Sequence, residues 1–311
     1  MQIVQLQVIQ SISHIKWHRK RNSSRLEMEI KMVIVTDTGS DILESEAKQM
    51  QVELVPICSN FEDITFSRNT EENFKAFYQK LRETEVLPFS SQPSPSAFLE
   101  IYERAREQGR EVLVITISSE LSGTYNGALL AKEISGYEKI EVVDSRQASL
   151  SERLLVEYAV KLRDEGKDRE QLRSCLEEAK ERILLTGVPE SLTYLKKGGR
   201  ISPVIAAVGG IMGIKPVLRL KDGVIECCAK ARGMKMARSS MRSFLEQNEV
   251  DPCMPVLFAH SDNEQMGREF MEETADKCEL SGCVLHDVGM AIGTHLGPGA
   301  ILMSFLAKNK I

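Results

Sequence analysis

A two-domain α/β protein is predicted by three features of the sequence: its length, a repeated alternation of apolar runs with amphipathic stretches, and a change of texture toward glycine after Leu184. A chain of 311 residues exceeds the roughly 250 to 300 at which a single core stops growing, so two units sharing a cleft are expected. The net charge of −5, from 40 Lys and Arg against 45 Asp and Glu, supplies no attraction for nucleic acid or an anionic membrane surface. Seven cysteines fit neither a CxxC nor a Cys/His zinc pattern, and there are five histidines in all. Reduced thiols, a cytoplasmic protein and no metal centre are the expectation.

The first thirty-one residues stand apart. Residues 1–30 mix short apolar pairs with a basic cluster (His14, Lys16, His18, Arg19, Lys20, Arg21, Arg25) placed after the apolar part, the reverse of a secretory signal. Segment 1–31 is expected to be either a disordered extension or a start codon read too early. No run approaches the ~20 apolar residues of a membrane span. From Met32 the run MVIVTD, the polar turn TGSD and a helix-like stretch over 43–50 open a βαβ unit. Ser94 and Pro95 suit the cap and first position of a helix whose Phe98, Ile101, Tyr102 and Ala105 share a face and which Gly109 ends. EVLVITI at 111–117 is the continuous apolar run of a strand covered on both faces. A Ser/Gly turn, a helix over 124–134 and a strand KIEVVD at 139–144 follow. Leu154, Leu155, Tyr158 and Leu162 mark a helix closed by Gly166, and Asp168 with Gln171 reads as the capping box of another carrying Leu172, Leu176 and Ala179. The domain boundary is placed at 185/186. Beyond it, Asp222-Gly223 reads as a hairpin turn, then a helix over 235–247, a strand over 255–260, a helix over 263–278, a strand over 283–288 and a final strand after GTHLGPG.

Four patches concentrate hydroxyls, glycines and one histidine where apolar patterns begin or end, which is where doubly wound sheets bind ligands. FSSQPSP (89–95) offers helix-start N–H groups and hydroxyls to a carboxylate, or simply an N-cap by Ser94. SSELSGTYNGA (118–128) places Ser122 at a strand-to-helix turn, where it could bind an oxyanion, act as a nucleophile beside a base, or serve a turn built for backbone reasons. KKGGRISP (196–203) pairs three cations with a Gly-Gly turn but lacks the Gly-Lys-Ser order of a P-loop. It flanks an uncharged stretch, 201–214, suited to lining an apolar cavity or to being buried core. AIGTHLGPG (291–299) sets His295 in a loop between glycine turns, where it could donate to a carboxylate or be structural.

Taken in order, VTDTGSD, FSSQPSP, ISSELSGTY, VVDS, LTYLKKGGRIS, GIKPVL, KARG and IGTHLGPG resemble the DegV family, whose best-known members are the acyl-carrying subunits of bacterial fatty-acid kinases. The likeness runs from Met32 to the end. It implies an N-terminal parallel-sheet three-layer domain (32–185) and a C-terminal mixed-sheet α/β domain (186–311) with a lipid tunnel between them. The implied ligand is a long-chain fatty acid, with no cofactor, its carboxylate held by Ser90, Ser122 and His295. Ser91, Gly123, Thr124, Arg200 and Thr294 lie near the head group in this reading, and Arg232 of KARG helps a separate kinase subunit dock. The chain would then be a non-catalytic carrier that presents the carboxylate for conversion to acyl-phosphate, feeding exogenous fatty acid into phospholipid synthesis. Ser90 stands where the family usually has Thr, keeping the hydroxyl. Phe66, Ser67 and Arg68 stand where a Tyr-x-Asp pair is common. The rivals are a stand-alone lipid-binding regulator and a Ser122/His295 esterase, for which no orienting acid is identifiable.

Overall fold

The computed structural model describes residues 31–201 and 213–310. The apolar runs of the first half become a four-stranded parallel sheet in the order β2-β1-β6-β7, formed by β1 (Met32–Asp37), β2 (Val52–Val55), β6 (Glu111–Thr116) and β7 (Ile140–Asp144). All of β1 is buried, and so is β6 beyond its first residue, because helices cover both faces as continuous apolar strands require. On one face Val33, Val35, Val112 and Val114 meet Phe98 and Tyr102 of α3 (Pro95–Glu107) and Ala128 of α4 (Thr124–Ser135). Against the other lie α1 (Glu44–Met50), α5 (Leu150–Asp164) and α6 (Arg169–Ala179).

The second half forms a six-stranded mixed sheet, β10-β9-β8-β13-β11-β12. Its strands are β8 (Ile183–Val188), β9 (Ile214–Lys221), β10 (Val224–Arg232), β11 (Val256–His260), β12 (Cys283–Asp287) and β13 (Ile301–Leu306). β11 and β12 pair in parallel and the other neighbours antiparallel. Helices α8 (Gly233–Gln247) and α9 (Glu264–Lys277) cover its outer face, Met241 and Phe270 sharing a core with Phe258 of β11. Its inner face shares α5 with the parallel sheet: α5 touches β1 and β6 on one side and β8, β11 and β13 on the other. Leu150, Leu154, Leu155, Val156 and Ala159 are each 0 % exposed, and Glu152 and Arg153 are buried with them, so the helix is covered on several sides at once. One continuous core therefore serves both halves, and the expected boundary at 185/186 falls inside β8.

A third sheet, β4-β3-β5, joins β3 (Cys58–Asn60), β4 (Thr65–Phe66) and β5 (Phe89–Ser91). Strands of two or three residues carry no readable period, and the sequence did not announce them. Nor did it announce α2 (Glu71–Glu83) or the short α7 (Thr193–Lys197). Local signals elsewhere act as expected. Asp168 Oδ1 accepts from Gln171 N at 2.8 Å while Gln171 Oε1 accepts from Asp168 N at 3.1 Å. Asp222 and Gly223 both have positive φ, +50° and +84°, as the tight hairpin turn requires. Ser94 precedes Pro95 at the start of α3, but its hydroxyl bonds Ser96 rather than the helix backbone. One expectation is corrected: the AIGTHL part of the last patch is not a loop but lies in α10 (Met290–Leu296), with His295 in the final turn. Three glycines in nine residues hid a helix that is held by packing rather than propensity. The extension 1–30 and most of the uncharged stretch 201–214 lie outside the described residues. Among the described residues no helix is long and apolar enough to cross a membrane.

Candidate functional site

A cavity of about 430 Å³ lies where the two large sheets, the small sheet and α10 converge. Its body is apolar, lined by Ile117, Leu185, Leu218, Leu220, Ile225 and Leu302. Its other end is polar, with Ser90, Ser91, Gln92, Ser122, Arg200 and His295.

Strand alternation in the small sheet sorts its residues. Ser59 pairs with Ser90, and Asn60 pairs with both Thr65 and Phe89, so the two serines share one face and Asn60, Thr65 and Phe89 the other. The serine face meets α10. Ser90 Oγ is 2.8 Å from His295 Nε2, and Ser59 Oγ accepts from Thr294 Oγ1 at 2.9 Å. The outer face is solvent-facing, with Phe89 61 % exposed.

His295 lies against Gly198 of the KKGGR turn so closely that a Cβ at Gly198 would stand 2.1 Å from the ring's Nδ1. That Gly is needed for approach to the imidazole. Burial first, and the Arg200 guanidinium second, push the His295 pKa down to about 4, so the ring is neutral at pH 7. Nδ1 has no hydrogen-bond partner. We assign the single proton to Nε2, because a buried donor without a partner costs more than the alternative. Nε2–H then points to Ser90 or to a ligand oxygen.

Ser122 comes from the turn after β6. Its Oγ lies 2.8 Å from Thr124 Oγ1, and Gly123 caps the twelve-residue α4, whose first N–H groups and dipole favour negative charge nearby. Arg200 donates from Nε to the Leu121 carbonyl at 3.1 Å, placing a cation at the cavity's edge.

Of the expected residues, Ser90, Ser91, Ser122, Gly123, Arg200 and His295 all line the cavity. Thr124 and Thr294 do not: Thr124 is buried beside Ser122, and Thr294 bonds Ser59 and the Met290 carbonyl, seating α10 on the small sheet. Arg232 ends β10, just before α8. It is seven residues beyond Ile225 along β10 and does not line the cavity. Phe66 joins an aromatic cluster with Phe61 and Phe77, centroids 6.2 and 5.8 Å away, and Arg68 pairs with Glu44 at the surface. None of residues 66 to 68 touches the cavity.

The sequence reading missed one lining residue and a cluster of buried carboxyls that does not line the cavity. Gln92 lines the polar end, its side chain over Gly123. Behind the cavity wall, Asp37 accepts from Gly39 N and Ile117 N at 2.9 and 2.8 Å, and Asp41 accepts from Ser149 Oγ and Gly289 N at 2.5 and 2.9 Å. Burial pushes both carboxyls up to about 7 and raises Glu152 beside them. Their signal was present in VTDTGSD, where one aspartate ends the buried strand β1 and another follows the turn after it. Ser122 bonds Thr124 and His295 bonds Ser90, so the two do not form a nucleophile–base pair, and no carboxylate meets His295 Nδ1.

The fold and site together define an α/β protein with an apolar cavity whose one end is lined by hydroxyls and a neutral histidine. A family model described as "Uncharacterised protein, DegV family" matches residues 31–308, and the chain belongs to the DegV family. A DegV domain-containing protein of Clostridium perfringens is 34% identical over 288 residues, 90% of this chain and 99% of the relative. Among solved structures, a fatty-acid-binding DegV family protein of Thermus thermophilus shares 30% identity at a TM-score of 0.80, covering 89% of this chain and 99% of that one. DegV of Bacillus subtilis, described as a fatty acid binding protein, shares 26% at a TM-score of 0.78 over 89% and 99%.

Proposed function

We propose that this protein binds a long-chain fatty acid in the cavity and presents its carboxylate to a separate ATP-dependent kinase, which converts it to acyl-phosphate. The observation that carries the reading is the Ser90–His295 pair at the polar end of an otherwise apolar cavity. An acyl tail gains about 0.8 kcal/mol per buried CH₂, so some fourteen methylenes contribute on the order of 11 kcal/mol before the cost of association. The head group then needs orientation more than binding energy. Ser90, Ser122 and the His295 Nε2–H supply neutral donors, and Arg200 supplies charge at the rim. Neutral donors leave a carboxylate oxygen nucleophilic enough to attack a γ-phosphoryl group held by the partner. In this reading the chain itself is a non-catalytic carrier in the cytoplasm that feeds fatty acid toward phospholipid synthesis, and Arg232 acts by docking the kinase, consistent with its place outside the cavity lining.

Native mass spectrometry of the purified protein should show a bound C14 to C18 acid. A lipid-free protein that cannot be loaded overturns the reading. Incubation of the loaded protein with ATP and a fatty-acid kinase catalytic subunit should give acyl-phosphate, and replacing Arg232 with Ala should impair that step while sparing fatty-acid binding. Binding without phosphorylation by any such kinase would leave the stand-alone regulator.

A further inference from the structure

Ser118 is one of several buried hydroxyls to which the fatty-acid reading gives no role. It does not line the cavity, yet it is the pivot of the turn that carries Ser122. Leu121 N and Ser122 N donate to its carbonyl at 3.0 and 3.1 Å, and Glu120 N donates to its Oγ at 3.3 Å. The proton of that hydroxyl leaves the turn altogether: it is donated to the Gly223 carbonyl at 2.8 Å, across 105 residues of sequence. Gly223 is the second residue of the β9–β10 turn. A Cβ there would stand 2.6 Å from Ser118 Oγ and 3.2 Å from Glu120 Cγ, at a φ of +84°, so glycine is what lets the hairpin tip seat on the turn.

That hairpin is a wall of the cavity, through Leu218 and Leu220 of β9 and Ile225 of β10. Along its length it is held by β8 and by α8, with Val217, Leu218 and Ala231 buried. β9 meets β8 in two register pairs, Thr186↔Arg219 and Gly187↔Leu218, and β10 is the sheet's edge strand. At the tip, beyond the β8 pairing, the Ser118 hydroxyl ties the hairpin to the turn that carries Ser122. The rim of the polar end is built from the same two segments: a groove of about 390 Å³ opens between Ser119–Gly123, Arg200 and Val224–Ile225.

We propose that Ser118 is a positioning residue that links closure of the β9–β10 hairpin over the acyl tail to placement of the Ser122 hydroxyl at the carboxylate. Tail contact and head-group contact share one hydroxyl, so they strengthen or weaken together. The inference rests on the fatty-acid reading, and the test separates the two.

The affinities of the full chain for tetradecanoate and for 1-tetradecanol are measured, their ratio reporting the carboxylate's share. Wild type should prefer the acid. Ser118→Ala should cut that preference about tenfold, the loss of roughly one hydrogen bond to a charged group, and should speed release of both ligands. Ser118→Thr, which keeps the hydroxyl, should restore the preference. Gly223→Ala attacks the contact from the other side and should reproduce the loss, so the comparison stands even if Ser118→Ala does not fold. In a Ser122→Ala background, Ser118→Ala should no longer move the ratio. If the Ser118 and Gly223 variants weaken acid and alcohol by equal factors, Ser118 is only structural and the inference is overturned. If wild type binds neither ligand, the fatty-acid reading falls and takes the inference with it.

Discussion

The parallel sheet and the small sheet both end at the cavity, but they are held in opposite ways. β1 and β6 are buried on both faces and locked by continuous register, so their position follows from apolar burial. β3, β4 and β5 are two or three residues long. They are tied by side chains: Asn60 Nδ2 to the Phe89 carbonyl and Ser91 Oγ, Thr65 Oγ1 to Asn60 Oδ1, Ser59 to Thr294 and Ser90 to His295. The frame therefore sets where the cavity is, and the small sheet sets how its polar end is arranged. Changes in the first should appear as lost stability and changes in the second as lost binding.

The largest effect is expected in the frame. Leu154→Ala on α5 removes a side chain that is 0 % exposed and should cost about 2–5 kcal/mol in urea unfolding. Because α5 serves both sheets, unfolding followed by near-UV and far-UV signals should remain a single transition. Two separated transitions would show that the halves are independent. Next comes the polar end. His295→Ala should weaken tetradecanoate binding by roughly ten- to hundredfold, as loss of a hydrogen bond to a charged group predicts, with a much smaller change in unfolding midpoint than Leu154→Ala. Equal losses of stability in the two variants would erase the distinction drawn above.

The third effect is in pH dependence, where the frame and the cavity's polar end should show opposite signs. His295 has a folded pKa of about 4, below its ordinary 6.5. Its contribution is complete above pH 6.5 and is lost as pH falls through 4. Asp37 is raised from 3.8 to about 7, so its contribution is complete below 3.8 and is lost as pH rises through 7. Replacing Asp37 with Asn should make the slope of stability between pH 4 and 7 more positive, by up to roughly 1.4 kcal/mol per pH unit. An unchanged slope would mean that Asp37 is ionised across that range. The smallest effect belongs to the outer face of the small sheet. Phe89→Ser should leave both stability and tetradecanoate affinity within about twofold, since exposed positions seldom exceed ~0.5 kcal/mol. A larger loss would place Phe89 in the cavity's support.

This contrast also explains what was legible in the sequence. Burial on both faces writes itself as runs such as MVIVTD and EVLVITI, and caps such as Asp168 with Gln171 are local chemistry, so the frame could be read directly. The cavity's polar end could not. Ser90, Ser122 and His295 meet across more than two hundred residues, and only their likeness to a known family drew them together. Spacing alone offered no means to choose between an ordinary cap, a turn and a ligand site. Thr294 shows the limit even of that likeness, because its hydroxyl is spent on Ser59. His295 reads as a loop residue because the glycines around it conceal the packing of α10 against α7 and the small sheet that holds the helix.

The shared helix α5 has a practical consequence for anyone dissecting the molecule. A fragment cut at 185/186 would split β8 and strip the cover from Leu185, Leu257, Leu302 and Leu306, which share the α5 core. Each piece would carry a wide sticky face into solution and should precipitate or recruit its other half. Co-expression of the two pieces as separate chains, by contrast, should rebuild the molecule, because the interface they would re-form is an interior.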